Sequence, residues 1–191
     1  MKYLRTFIAL PVKVENQFLL ARKEMMESLA KERIVWVDPQ RYHVTIRFLG
    51  DTTPEAVEAI RFSMRDRIIV TGTTILQLGH TGNFGSRNRP VVIWVGFKDS
   101  PFLEMLREKV EAALDICGMM PSEQPFRPHL TIGRIRRLND LQGFYRLMNS
   151  MKEHFYGDTL ADRLVFYKSE PGSGGPVYTP LEEYLFAGQT F

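Results

Sequence analysis

The chain has 191 residues, 44% hydrophobic and 25% charged, with a formal net charge of +3. These values describe a soluble globular protein with a sizeable core and exclude a disordered or collagen-like chain. One cysteine, Cys117, excludes an internal disulfide and a cysteine-based metal cage. The apolar run from Phe7 to Val12 is interrupted by Pro11 and is too short for a signal sequence. No stretch approaches the length of a membrane span. A cytoplasmic protein is expected.

In chain order, Tyr3 to Leu10 reads as a strand, and Glu15 to Arg33 as a helix with Phe18, Met25 and Leu29 at a mostly helical period. Val35 to Asp38 is a short extended piece, and Tyr42 to Leu49 is a strand ending at Gly50. Thr52 or Thr53 caps a helix that has Pro54 in its first turn and runs towards Arg67. Glu55 offers a capping box to Thr52. Ile68 to Leu78 looks extended, and Gly79 to Arg89 reads as a polar, glycine-bearing loop.

The order then repeats. Val91 to Phe97 is a strand. Ser100 and Pro101 start a helix carrying Phe102, Leu106, Val110 and Leu114 on one stripe, and Gly118 is placed to stop it. Phe126 to Ile135 is a strand, Asn139 and Gln142 open another helix, and Leu160 to Ser169 is a strand. A turn-rich stretch from Gly172 to Pro176 leads to a last extended segment, Val177 to Ala187. The pattern predicts an α+β fold in two similar lobes related by internal duplication, each an antiparallel sheet backed by helices, with a central cleft. No linker divides them, so residues 1–191 read as one domain. The alternative is a single α/β layer without symmetry.

The strongest chemical signal is a repeated phrase, His43-Val-Thr45-Ile46 and His129-Leu-Thr131-Ile132. In a strand, His and Thr two residues apart share one face while Val44, Ile46, Leu130 and Ile132 point into the core. Each copy thus presents an imidazole beside a hydroxyl. Histidine titrates near neutrality, so one can donate a proton while the other accepts one. Cleavage of a phosphodiester needs both acts, on opposite sides of phosphorus, with donors for the non-bridging oxygens. Arg127, Arg134, Arg136 and Arg137 around the second copy suit an anionic substrate. No metal-ligand spacing is present, so neither metal nor cofactor is expected. One His-x-Thr strand alone is more often structural than catalytic; two in matching positions change that balance.

The flanking residues extend the match. The first copy continues as His43-Val-Thr-Ile-Arg-Phe-Leu-Gly50, and the second is preceded by Phe126-Arg-Pro128 and followed by Arg134. Arg5-Thr-Phe-Ile-Ala9, Arg89-Pro-Val-Val-Ile-Trp94, Tyr167-Lys-Ser169 and Gly175-Pro-Val-Tyr178 agree in order along the chain. The whole resembles the 2H phosphoesterase superfamily, specifically the LigT-like RNA 2′,3′-cyclic phosphodiesterases. Ile46 and Ile132 stand where that group usually has Leu. The resemblance implies hydrolysis of an RNA 2′,3′-cyclic phosphate end to a 2′-phosphomonoester, with His129 as proton acceptor and His43 as proton donor. Thr45 and Thr131 would hold phosphate oxygens. Some members also join RNA through 2′–5′ bonds, a 5′-hydroxyl replacing water.

Arg134 is carried over as a phosphate ligand. Strict alternation from His129 turns it to the opposite face, so that role requires a bulge or a strand end by Gly133. Arg47 has the parity to join His43 and Thr45 as a substrate ligand, and Phe48 has the parity of the core. His80 and His154 lack a Thr partner and read as surface or cap residues. Cys117 reads as a buried structural thiol. The expected partner is RNA with cyclic phosphate ends or a related nucleotide, bound by a monomer without membrane contact. The competing readings are a non-catalytic nucleotide- or RNA-phosphate-binding module and a protein that uses both motifs only for packing.

Overall fold

The computed structural model describes residues 3–172 and 175–187. Positions 173 and 174 of the expected Gly172–Pro176 turn lie outside them. The strands are β1 (Leu4–Pro11), β2 (Arg33–Trp36), β3 (His43–Thr52), β4 (Thr74–Ser86), β5 (Arg89–Phe97), β6 (His129–Arg137), β7 (Phe155–Ala161), β8 (Arg163–Glu170) and β9 (Val177–Leu185). The helices are α1 (Asn16–Ser28), α2 (Pro54–Arg67), α3 (Pro101–Ile116) and α4 (Leu141–Ser150). None of these helices is long and apolar enough to cross a membrane.

The fold is α+β with antiparallel sheet, helices and a central cleft, as the pattern predicts, and the two sheet halves join at one residue pair. The strand order is β7-β4-β5-β6-β3-β1-β8-β9, with β2 also pairing with β6. The two motif strands are the central neighbours. They pair at Val44 and Leu130. Beyond that point the free edge of β6 is taken by β2, through Trp36↔Gly133, Val35↔Arg134 and Ile34↔Ile135. The two half-sheets therefore meet at the start of the motif strands and splay apart, which leaves a cleft on one face.

The halves of the sheet are not the halves of the chain. Strand β4 follows α2 but pairs with β5 and β7, and β8 follows β7 but pairs with β1 and β9. The helices cross as well: α1 contacts β7, whereas α3 lies on β3 and packs against α2. Each half-sheet is thus completed by elements from the other end of the chain.

Local signals explain most boundaries. Thr53, not Thr52, is the N-cap of α2, accepting a hydrogen bond from the Ala56 amide, with Pro54 following it. Asp140 caps α4 through the Gly143 amide. Gly118 stops α3 with φ of +71°, a conformation that favours glycine. Of the stretch from Gly79 to Arg89, read as a loop, Gly79 to Ser86 is instead the second half of β4 and only residues 87–88 form the turn to β5. Gly82 lies under the Trp94 ring, where a Cβ would collide with it, so this glycine serves close packing rather than a turn.

Candidate active site

Alternation places the motif residues as expected. Val44, Ile46, Leu130 and Ile132 are buried in the core. His43, Thr45, His129 and Thr131 line the same cleft, of about 650 Å³. Because β3 and β6 are antiparallel about the Val44–Leu130 pair, extending that register sets Thr131 opposite His43 and Thr45 opposite His129. The histidines are then diagonal neighbours, a relation that spaces residues by about 7–8 Å in a regular ladder. Each imidazole sits beside the other copy's threonine as well as its own.

Both rings are tethered alike. His43 Nδ1 lies 2.8 Å from the Arg41 carbonyl oxygen and His129 Nδ1 lies 2.7 Å from the Arg127 carbonyl oxygen. A carbonyl only accepts, so Nδ1 carries the proton and donates it. Nε2 is left to act as a base when the ring is neutral, or as an acid when it is protonated. The Tyr178 ring meets His43 at 87° with centroids 5.2 Å apart, and Phe84 meets His129 at 86° and 4.7 Å. Burial is the main force lowering the pKa of both imidazoles. The positive charge of Arg134 pushes the same way on each, and that of His129 further opposes a charge on His43.

Arg134 reaches the cleft by a bulge. In the pairing of β5 with β6, Trp94 faces Thr131 and Ile93 faces Gly133, so Ile132 is skipped. One extra residue reverses the alternation, and Arg134 lines the cleft with Arg136. The first motif bulges at the equivalent place. Ala9 faces Thr45 and Ile8 faces Arg47, so Ile46 is skipped. This reverses the expectation for the next two residues. Arg47 is not a cleft residue: its Nε lies 3.4 Å from Glu111 on α3, and it donates to the Met120 carbonyl. Phe48 is not core: it is 66% exposed, lines the cleft and lies 5.9 Å from the Phe7 ring. A second skip at Leu49, with Gly50 at φ of +72°, follows it.

The bulged carbonyls are satisfied differently in the two copies. The Ile132 carbonyl accepts from the Val37 amide at 3.0 Å. The Ile46 carbonyl accepts from Arg107, which also pairs with Glu111. Five residues after each histidine, then, the site holds Phe48 on one side and Arg134 on the other. Arg5, Arg41, Trp36, Phe84 and Tyr178 complete the lining relevant here. Phe84 was hidden by the assignment of its segment to a loop. Phe48 could have been found from the repeat, because the bulge that Arg134 requires applies equally to the first copy. His80 and His154 lie outside the cleft lining; the His80 ring instead packs against Trp94 at 5.6 Å.

The LigT-like phosphoesterase profile matches residues 8–94. The RNA 2′,3′-cyclic phosphodiesterase of Aeropyrum pernix is 31% identical over 77% of this chain and 83% of its own length. The chain belongs to the LigT-like phosphoesterase family. A relative from Geobacillus stearothermophilus with the same name is 32% identical over 70% of this chain, and that match spans 43% of the longer relative. Among solved structures, TT0787 of Thermus thermophilus superposes with a TM-score of 0.76 at 22% identity, covering 97% of this chain and 100% of that one. The E. coli LigT complex with 3′-AMP gives 0.68 at 22% identity, covering 97% and 99%. These likenesses establish the family and the LigT fold.

Proposed function

We propose that this protein hydrolyses RNA 2′,3′-cyclic phosphate ends to 2′-phosphomonoesters by two-histidine acid–base catalysis. The observation that carries the reading is the matched tethering of His43 and His129 through Nδ1, two residues that line one cleft, which leaves Nε2 of each ring for proton transfer. The names of the relatives supply the substrate class, and a nucleotide is the ligand of the E. coli LigT complex. Neutral His129 takes a proton from water through Nε2 as the water oxygen bonds to phosphorus. The bond from phosphorus to the 3′ oxygen breaks, and protonated His43 gives that oxygen its Nε2 proton. The 2′ ester bond stays intact, so a 2′-phosphomonoester leaves. Proton exchange with solvent restores both rings.

Thr45, Thr131 and Arg134 hold the non-bridging oxygens, where negative charge grows. A 5′-hydroxyl in place of water would give a 2′–5′ linkage by the same proton transfers. Incubation of an oligoribonucleotide ending in a 2′,3′-cyclic phosphate with excess EDTA tests the reading. The expected product is the 2′-phosphate, and His43→Ala and His129→Ala should each lower the rate by about 10²–10⁴-fold. A 3′-phosphate product, binding without turnover, or two single variants near the wild-type rate would each overturn it.

A further inference from the structure

The proposed reaction uses Arg134 but leaves a larger basic feature unexplained. Arg33 on β2 and Arg136 and Arg137 on β6 are all exposed. Arg33 pairs directly with Arg137 across the strands. Residues directly opposite each other share a face, and like charges there are destabilising. The register passes from Ile34↔Ile135 to Arg33↔Arg137 and skips Arg136. That bulge turns Arg136 and Arg137 to the side of Arg33, which alternation from the cleft-lining Val35 places on the cleft face. Among the described residues, none of Arg33, Arg134, Arg136 and Arg137 has an ion-pair partner. The adjacent carboxylate, Glu32, is occupied with the Asn139 and Asp140 amides. The fold therefore concentrates four cations on one ridge and offsets none of them.

We propose that this ridge tracks the phosphates of single-stranded RNA upstream of the reacting end. The inference rests on the cyclic phosphodiesterase reading above. A 2′,3′-cyclic phosphate terminates its strand, so every other phosphate lies on the 5′ side and needs one exit from the cleft. Along β6, Arg134 and Arg136 are about 7 Å apart, a step comparable with that between successive phosphates of an extended strand. The opposite side of the cleft carries Arg5 and Arg41 beside Glu170, which pairs with Lys168 at 2.7 Å; among the described residues its cations are fewer than the four arginines of the paired strands β2 and β6. Val35 on one side, and Val92 and Phe84 on the other, line the cleft beside the arginines. A basic groove next to an aromatic shelf fits unpaired bases better than a duplex.

The test compares two substrates: a mononucleoside 2′,3′-cyclic phosphate and a single-stranded oligoribonucleotide with the same terminus. In an Arg33→Gln/Arg137→Gln double variant, kcat/KM for the mononucleotide should be unchanged while KM for the oligonucleotide rises. The dependence of log Kd on log salt for a fluorescent oligonucleotide should become shallower by about 1.4, or about 0.7 per arginine. The thermal midpoint should not fall, because a like-charge pair has been removed. An equal loss on both substrates, or an unchanged salt slope, would overturn the ridge. If the wild type turned over neither substrate, the activity reading would fail, and the salt slope of binding would still decide the ridge.

Discussion

At the scale of single residues, the two imidazoles are prepared by the backbone before any substrate arrives. The carbonyls of Arg41 and Arg127 hold Nδ1 protonated, so only Nε2 changes state during acid–base work. Burial and the Arg134 guanidinium both lower the imidazole pKa values from the usual 6.5. The free enzyme's groups govern kcat/KM, so both limbs of its pH profile should have midpoints below that value. On the proposed roles, the acid limb would report His129 losing its basic form, and the alkaline limb His43 losing its proton. Removing the Arg134 charge relieves its repulsion of both imidazolium forms. Arg134→Gln should therefore lower kcat/KM and also move both limbs to higher pH; a drop in rate with unmoved limbs would limit Arg134 to binding. The same shifts bear on stability. A histidine whose folded pKa is depressed contributes stability above its unfolded pKa, and that contribution is lost as pH falls. Thermal midpoints should accordingly drop as pH falls below about 6.5.

At the scale of elements, the bulges decide which side chains face the cleft. Period-two alternation made His43, Thr45, His129 and Thr131 legible, because each motif precedes its bulge. It failed for Arg47 and Phe48 because a skipped residue leaves no trace in hydrophobic patterning: Ile46 is apolar and buried in either register. Only the need to turn Arg134 inward pointed to the irregularity, and the internal repeat then extends it to the first copy. The first bulge is secured from the helix layer. Arg107 on α3 donates to the Ile46 carbonyl and pairs with Glu111, which also pairs with Arg47. Arg107→Met should leave that carbonyl without its charged donor and Glu111 with one cation instead of two. Loss of a hydrogen bond to a charged group costs about 1.5–3 kcal/mol, so the thermal midpoint should fall by several degrees. The loosened strand should lower kcat about tenfold with less effect on KM, since the first motif would lose its alignment more than the ligand its contacts. Arg107→Lys should recover part of the loss. A variant with a lowered midpoint but unchanged kcat would show that the clamp stabilises the sheet without aligning the site.

At the scale of the whole molecule, the repeat of strand, helix, motif strand and helix was readable in the sequence, but its spatial assignment was not. Patterning reports which residues are buried, not which partner buries them, so β4 and β8 could be placed in chain order but not in the sheet. In the structure β4 joins the half-sheet of β5 and β6, and β8 joins that of β1 and β3. Helices α1 and α3 also cross to the far half. Removing one half of the chain would thus strip strands and helices from both half-sheets. The two motif strands sit at the seam, where Val44 and Leu130 are completely buried. Such interlacing predicts one cooperative unfolding unit instead of two lobes opening independently. Native-state hydrogen exchange at increasing denaturant measures this directly. The slowest amides of β1 and β8, such as Ile8 and Phe166, should converge on the same free energy of opening as those of β4 and β5, such as Leu78 and Ile93. Their dependence on denaturant should match, because the same surface is exposed when either set opens. Were one set to open with a clearly smaller free energy and slope, the half-sheets would be separable, and the spacing of His43 from His129 would vary with motion between them.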